Sequence, residues 1–367
     1  MMKVLQICCN LAGSTVFPQL FSALKEAGLA QEVFVPERRA QDMNKNLPDG
    51  VTTHYALTVR ATDMLFFFRK AQRSVPEIMR RVDMKSVDLI HAHTLFTDGS
   101  IAAALSARTG VPYMLTLRYS DIGAIWRYEP HLRPMARRIL RGAKHIVFLS
   151  EAAREGVLRG WLSDADRALI APKTHVIPNG IRPEWLTGAA RDSLHDPVRV
   201  GFAGRLNRRK RPLDALGAVH RANGAGGRRY VLLACGTGPL ESALRAGLRE
   251  GDAYVGAVHG MDAMKDFYRE CDMLLVPSEA ETFGMVYLEA MSQGVPVLYT
   301  RGEGFDGQFP EGEAGYAVAC GDIEEQARRI ADVCEGYAER SARCVHLARG
   351  YAWPIVAAKW MALYSAE

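Results

Sequence analysis

Two glutamates, Glu281 and Glu289, stand eight positions apart in the stretch SEAETFGMVYLEAMSQG, Ser278–Gly294. An ionised carboxylate only accepts hydrogen bonds, and it accepts them strongly from O–H donors, so a spaced pair suits a hydroxyl-rich ligand. Between them, Thr282, Phe283 and Gly284 fall where the apolar run CDMLLVP gives way to a helix expected over 284–293, with Gly294 as its C′ stop. The free N–H groups and the dipole of a helix start favour an anion. Gly284 lets a ligand approach the backbone closely. A phosphate at the helix mouth and hydroxyls on two carboxylates together describe a nucleotide sugar. The plain alternative is a loop charge at Glu281 and an exposed Glu289.

A second constellation lies in GFAGRLNRRKRP, where Arg205 and, five residues on, Lys210 follow a strand-like run and precede a helix. Arginine brings a bidentate fork and lysine a point charge, and the two suit one diphosphate. Near the N-terminus, Gly13 in NLAGS allows close backbone approach, but the G-x-G-x-x-G of a dinucleotide site is absent there. CGTGPLE carries G-x-G after a strand and reads as a tight turn. His91 and His93 end the strand DLIHAH on one side of it, yet with Asp98 they make no convincing metal set. Asp164 and Asp166 form a D-x-D with no strand ahead of it, which reads as a surface loop. Arg118, Ser120 and Asp121 follow the strand VPYMLTL. No G-x-S-x-G elbow appears, which disfavours a serine hydrolase.

The elements that must position these residues come in two series. Short apolar strands alternate with amphipathic helices from KVLQICC to HVIPNG, and again from VRVGFAG to VPVLYT. That alternation predicts parallel sheets covered by helices on both faces. The polar, irregular stretch 183–197 between the series reads as a linker. The expected architecture is α/β, two doubly wound Rossmann-like domains facing a central cleft, with ligands at the carboxyl ends of strands. The domains are expected over 1–185 and 186–350, with a C-terminal helix over 351–367.

The totals agree with a globular chain. It has 367 residues, 48% of them apolar and 24% charged, which excludes disordered and fibrous classes. No apolar run is long enough to span a membrane, and no signal-peptide pattern is visible. Seven scattered cysteines without metal spacing suggest reduced thiols and a cytoplasmic setting. Residues 1–185 carry 25 lysines and arginines against 17 acids, whereas acids predominate in the remainder. Within that basic half, three consecutive phenylalanines sit beside Arg69, Lys70 and Arg73 in 64–81, and LRPMARRILRGAK adds a second basic stretch. Such patches suit an anionic membrane surface. A solvated face over a phenylalanine core is the bland reading. Nucleic acid is not an expected partner.

Taken together, these residues resemble the retaining glycosyltransferases of family 4, which have the GT-B fold. The match rests on E-x7-E at Glu281 and Glu289, GR-x4-K at Arg205 and Lys210, VIPNGI, DLIHAH, GTGPL and the closing YAWPIVAAKWMALYSAE. It runs over nearly the whole chain. The resemblance implies that Arg205 and Lys210 hold the donor diphosphate and that Glu289 takes the ribose. Glu281, with the backbone of Phe283, Gly284 and Met285, would take the transferred sugar. The loop holding Gly256 and Val258 would lie near the base, and Gly13 would let the first-domain loop close on the phosphates. His93 and Asp121 would stand on the acceptor side, and the last helix would return to the first domain. One departure is clear: many members carry a histidine after the strand that here ends in TLRYSD, and this chain has Arg118.

The resemblance also implies a UDP- or GDP-sugar donor, a glycan or lipid-linked acceptor in surface polysaccharide or lipopolysaccharide synthesis, and neither metal nor cofactor. A GT-B epimerase, a phosphorylase and a nucleotide-sugar-binding protein without turnover are the competing expectations. Epimerases need further acid–base groups and phosphorylases a pyridoxal lysine, and neither is identifiable.

Overall fold

In this computed structural model the described residues are 2–64, 68–118, 120–224, 227–281 and 283–366. The chain divides into two units. The first comprises Met1–Leu149, Ala153–Gly180 and Trp353–Glu367; the second comprises Ser150–Ala152 and Ile181–Ala352.

The first unit is built on seven strands: β1 (Lys3–Ile7), β2 (Ala30–Glu37), β3 (Thr52–Leu57), β4 (Leu89–Ala92), β5 (Tyr113–Thr116), β6 (Ile146–Phe148) and β7 (Thr174–Val176). Their order is β3-β2-β1-β4-β5-β6-β7, and the pairings are parallel. The central strands are buried on both faces, which is why they read as unbroken apolar runs instead of alternating ones. Close helix packing over this sheet depends on Gly99, where a Cβ would sit 3.1 Å from the Leu115 side chain. The helix Thr97–Thr109 ends on Gly110 at φ +76°, the left-handed stop that glycine adopts without strain.

The last helix, Trp353–Tyr364, lies against the helix Val16–Glu26 in the same unit. Its Trp353 indole donates to Gln19 Oε1 at 2.8 Å. A Cβ on Gly180 would collide with the Trp353 ring at 2.4 Å, so the glycine of VIPNG is required by that ring.

The second unit has six strands: β8 (Val198–Ala203), β9 (Tyr230–Cys235), β10 (Ala253–Tyr254), β11 (Met273–Leu275), β12 (Val297–Thr300) and β13 (Gly315–Val318), in the order β10-β9-β8-β11-β12-β13. They too pair in parallel. In each sheet the winding reverses once, between β1 and β4 in the first and between β8 and β11 in the second. Loops leaving the two strands at such a reversal diverge to opposite faces and leave a crevice at the strand ends.

The stretch 183–197 is not a free linker. Trp185 is buried, and Asp272, also buried, gathers the segment by accepting from His195 Nδ1 at 2.9 Å and from Arg191 Nη2 at 3.3 Å. One carboxylate thus fastens this polar run to the second unit. Ile181 and Ala352, where the chain passes between units, bridge each other.

Candidate active site

Lys210 and Glu281 are 71 residues apart in sequence but belong to the loops that follow β8 and β11, the two strands at the reversal of the second sheet. Their side chains form an ion pair, Lys210 Nζ to Glu281 Oε2, with 15% and 18% of their surfaces exposed. The loop carrying Lys210 is held from beneath by the GTGPL loop. Leu206 N donates to Thr237 O at 2.8 Å, and Leu240 N donates to Leu206 O at 2.9 Å. The backbones touch so closely that a Cβ at Gly236 would lie 1.8 Å from Gly204 O. The G-x-G is therefore a site of close approach between two loops, which a tight turn alone would not require. Lys210 N donates to Asn207 Oδ1 at 3.0 Å, which sets the turn before the helix Pro212–Asn223. Arg205 stands exposed, with no side-chain hydrogen bond among the described residues.

Glu281 is fixed at both of its backbone groups. Its N–H donates to Glu303 Oε2 at 2.7 Å, and its carbonyl accepts from Gly304 N at 2.8 Å. Burial, with repulsion from Glu281 and Glu279 and against the pull of the Glu281 N–H, pushes the Glu303 carboxyl up to about 7. Sequence reasoning missed Glu303; its only signal is TRGEGFDG, an unremarkable glycine-rich turn after β12.

Gly284 caps the following helix, Met285–Ser292, at φ +84°, and a Cβ there would meet the Tyr287 ring at 2.4 Å. Phe283 points inward, 2% exposed, with its ring 6.4 Å from Phe305 and 6.0 Å from Tyr351, so only its backbone is free to meet a ligand. Thr282 lies outside the described residues. Met285 is half-buried at the first helical position, and Glu289 follows it at i+4 on the same face. Glu289 Oε2 accepts from Tyr268 OH at 3.0 Å. Burial holds its carboxyl above the usual range, tempered by the Tyr268 hydroxyl and Arg182.

Gly256 turns at φ +78°, and its carbonyl accepts from Gly236 N at 2.8 Å. Val258 lines an apolar cavity of about 780 Å³ with Val255, Ala263 and Phe267.

In the first unit, Gly13 ends a short turn after β1, with open space where a Cβ would be. Arg118 follows β5. Its guanidinium lies 4.5 Å from the Phe17 ring centroid, Nη1 donates to Asn179 Oδ1 at 3.1 Å, and Nε is sealed in without a hydrogen-bond partner among the described residues. Burial brings its pKa down to about 10, so it remains a cation at neutral pH.

His93 and Asp121, expected on the acceptor side, are both fully buried in the first unit. His93 Nε2 pairs with Gln6 Oε1 at 2.9 Å, and its ring packs edge-on against Phe17 and Phe21; burial keeps it neutral. Asp121 braces the backbone instead, accepting from Arg118 N at 3.0 Å. His91 is a core residue as well, bound to Tyr364 OH at 2.7 Å and Thr116 Oγ1 at 2.8 Å. Asp98, fully buried, accepts from Cys9 N at 3.0 Å, and desolvation pushes it up to about 7.

Two family models cover the chain in tandem. A glycosyl transferase 4-like domain matches residues 12–180, and glycosyl transferases group 1 matches residues 189–350. The chain is a group 1 glycosyltransferase. Its relatives include the D-inositol 3-phosphate glycosyltransferase of Pseudarthrobacter chlorophenolicus, 27% identical over 82% of this chain and 76% of that one. Among solved structures, sucrose-phosphate synthase of Thermosynechococcus elongatus aligns with a TM-score of 0.78 at 19% identity, covering 99% and 98% of the two chains. HepE of Anabaena in complex with UDP-glucose aligns at 0.67 and 18%, covering 100% of both chains. The likeness establishes the GT-B fold.

In this glycosyltransferase the D-x-D occupies the first turn of the short helix Asp164–Ile170. Asp166 is drawn to Arg141 at 2.5 Å and accepts from the hydroxyl of the N-cap residue Ser163 at 3.2 Å, whereas Asp164 is exposed. Among the described residues no group of three or more His, Cys, Asp or Glu could hold a metal ion. The charged groups that the second unit gathers at the strand ends are cations and carboxylates. Lys210 carries a positive charge that a diphosphate can claim from Glu281, and Arg205 forms no ion pair among the described residues.

Proposed function

We propose that this glycosyltransferase moves a sugar from a UDP- or GDP-sugar to a glycan or lipid-linked acceptor, with retention of anomeric configuration and without a metal ion. The observation that carries the reading is the Lys210–Glu281 pair at the β8/β11 reversal. On donor binding the diphosphate takes the Lys210 ammonium, with Arg205 beside it, and Glu281 is released to accept hydrogen bonds from the sugar hydroxyls. Glu289, one turn into the helix, accepts from the ribose. The acceptor hydroxyl then attacks the face the diphosphate leaves, and a departing phosphate oxygen takes its proton. Charge builds on the diphosphate as the glycosidic bond breaks, and cations already placed there stabilise it without reorganising. No side-chain base is needed, which accords with an arginine at position 118, a poor base.

The acceptor belongs to bacterial surface polysaccharide or lipopolysaccharide assembly at the cytoplasmic membrane face. Support for a membrane-borne acceptor comes from the first unit, where a cavity of about 840 Å³ opens among three helices. Ala71 and Val75 line it from one, Ala103 and Ala107 from the next, Met135 and Ile139 from the third. Arg108 and Arg138 share its lining, and Phe68 beside it is 53% exposed. Apolar side chains flanked by arginines suit an anionic leaflet. Of the three phenylalanines read from sequence, only Phe68 lies within the described residues. Incubation with a panel of UDP- and GDP-sugars tests the reaction: turnover yields free nucleoside diphosphate, whereas binding alone leaves the donor intact.

A further inference from the structure

The loop after β12 is the part of the second unit that the proposed reaction leaves unused, yet it grips Glu281 at two points. Glu303 Oε2 accepts the Glu281 N–H at 2.7 Å, and Gly304 N donates to the Glu281 carbonyl at 2.8 Å. The loop is stiffened in turn, since Glu303 N donates to Thr300 O at 3.2 Å and Asp306 N donates to Glu303 O at 2.8 Å. Glu281 therefore has its backbone tied to Glu303 and its side chain tied to Lys210. We infer that Glu303 is a positioning residue for donor binding: it holds Glu281 in register with Lys210, and the proton it carries governs how readily the pair accepts a diphosphate. The inference rests on the proposed roles of Glu281 and Lys210.

The charge environment gives the direction. Glu281 and Glu279 face Glu303 from the loop after β11, Tyr287 from the next helix, Cys320 from beyond β13 and Asp306 from its own turn. Lys210 is engaged by Glu281, and Arg211 is a second cation that shares Glu279 and Cys320 as charged neighbours. Burial and the two neighbouring carboxylates raise Glu303 from 4.5 to about 7. Below that value it is neutral. Above it a further negative charge stands beside Glu281, the carboxylate that holds the lysine, so an arriving diphosphate meets more repulsion and donor affinity falls. For stability the sign is the same. A raised carboxyl contributes fully below its unfolded value of 4.5, and the contribution is lost as the pH climbs through about 7.

Donor KM and kcat measured across neutral pH for the wild type, Glu303→Gln and Glu303→Ala decide the matter. The wild-type donor KM should rise about fivefold through neutrality. In Glu303→Gln that limb should vanish, and the variant should be more thermally stable than the wild type above pH 7 and converge with it near 4.5. Glu303→Ala, which loses the acceptor for the Glu281 N–H, should have a raised donor KM at every pH. If Glu303→Ala does not fold, the Glu303→Gln profile decides alone. A Glu303→Gln enzyme that keeps the wild-type limb overturns the inference. Glu281→Gln and Lys210→Ala enzymes with full activity would instead overturn the underlying reaction, whatever Glu303 does.

Discussion

At the scale of single residues, Glu281 and Glu289 differ in what holds them. Glu281 is engaged by a cation that a diphosphate can displace, whereas Glu289 is half-buried on a helix and bound to a neutral tyrosine. A contact formed as the glycosidic bond breaks affects turnover; one made equally before and during reaction affects binding. Glu281→Gln should therefore lower kcat by at least about tenfold, equivalent to about 1.4 kcal/mol of barrier, with little change in donor KM. Glu289→Gln should mainly raise donor KM. Steady-state kinetics with one donor separate the two, and identical effects of both substitutions would contradict the division of labour. The sequence singles out both carboxylates and both cations because their spacing on either side of strand–helix turns is a local signal, and the structure pairs two of them, Lys210 and Glu281. His93 and Asp121 were picked out by the same local signal, and both are buried. A strand end marks where a ligand binds, but the strand DLIHAH is central, and its imidazoles are consumed by Gln6, Tyr364 and Thr116. Glu303 gave no signal because its role is created by β12 lying beside β11, a pairing no local pattern encodes.

At the scale of elements, the alternation of apolar runs and helices foretold two parallel sheets, since buried strands and amphipathic helices have distinct periods. Strand order was not legible, and strand order is what places the loop after β8 beside the loop after β11. The G-x-G of CGTGPL shows the consequence. Its glycines at φ +127° and +157° lie against Gly204 O and Leu206 O, backbone that has no slack to yield. Gly236→Ala should destabilise the protein by at least about 2 kcal/mol through steric conflict and a disfavoured φ. A urea midpoint equal to that of the wild type would show that the two loops are not tied as described.

At the scale of the whole molecule, no helix among the described residues is long and apolar enough to cross a membrane. The proposed contact with a lipid-linked acceptor rests on the arginine-flanked apolar cavity of the first unit. Co-sedimentation with anionic liposomes should occur at low salt and fade as salt screens the arginines, while neutral liposomes should leave the protein in solution. Equal failure to bind both would argue for a soluble acceptor. The central claim is that cations and carboxylates of the second unit activate a nucleotide sugar without a metal. Its most direct test is release of nucleoside diphosphate from a panel of UDP- and GDP-sugars in EDTA, followed by mass spectrometry for the wild type beside Lys210→Ala. The account predicts free UDP or GDP from at least one donor with the wild type, and at least about tenfold less with the variant. Equal release by both proteins, or release that appears only when magnesium or manganese is restored, would contradict it.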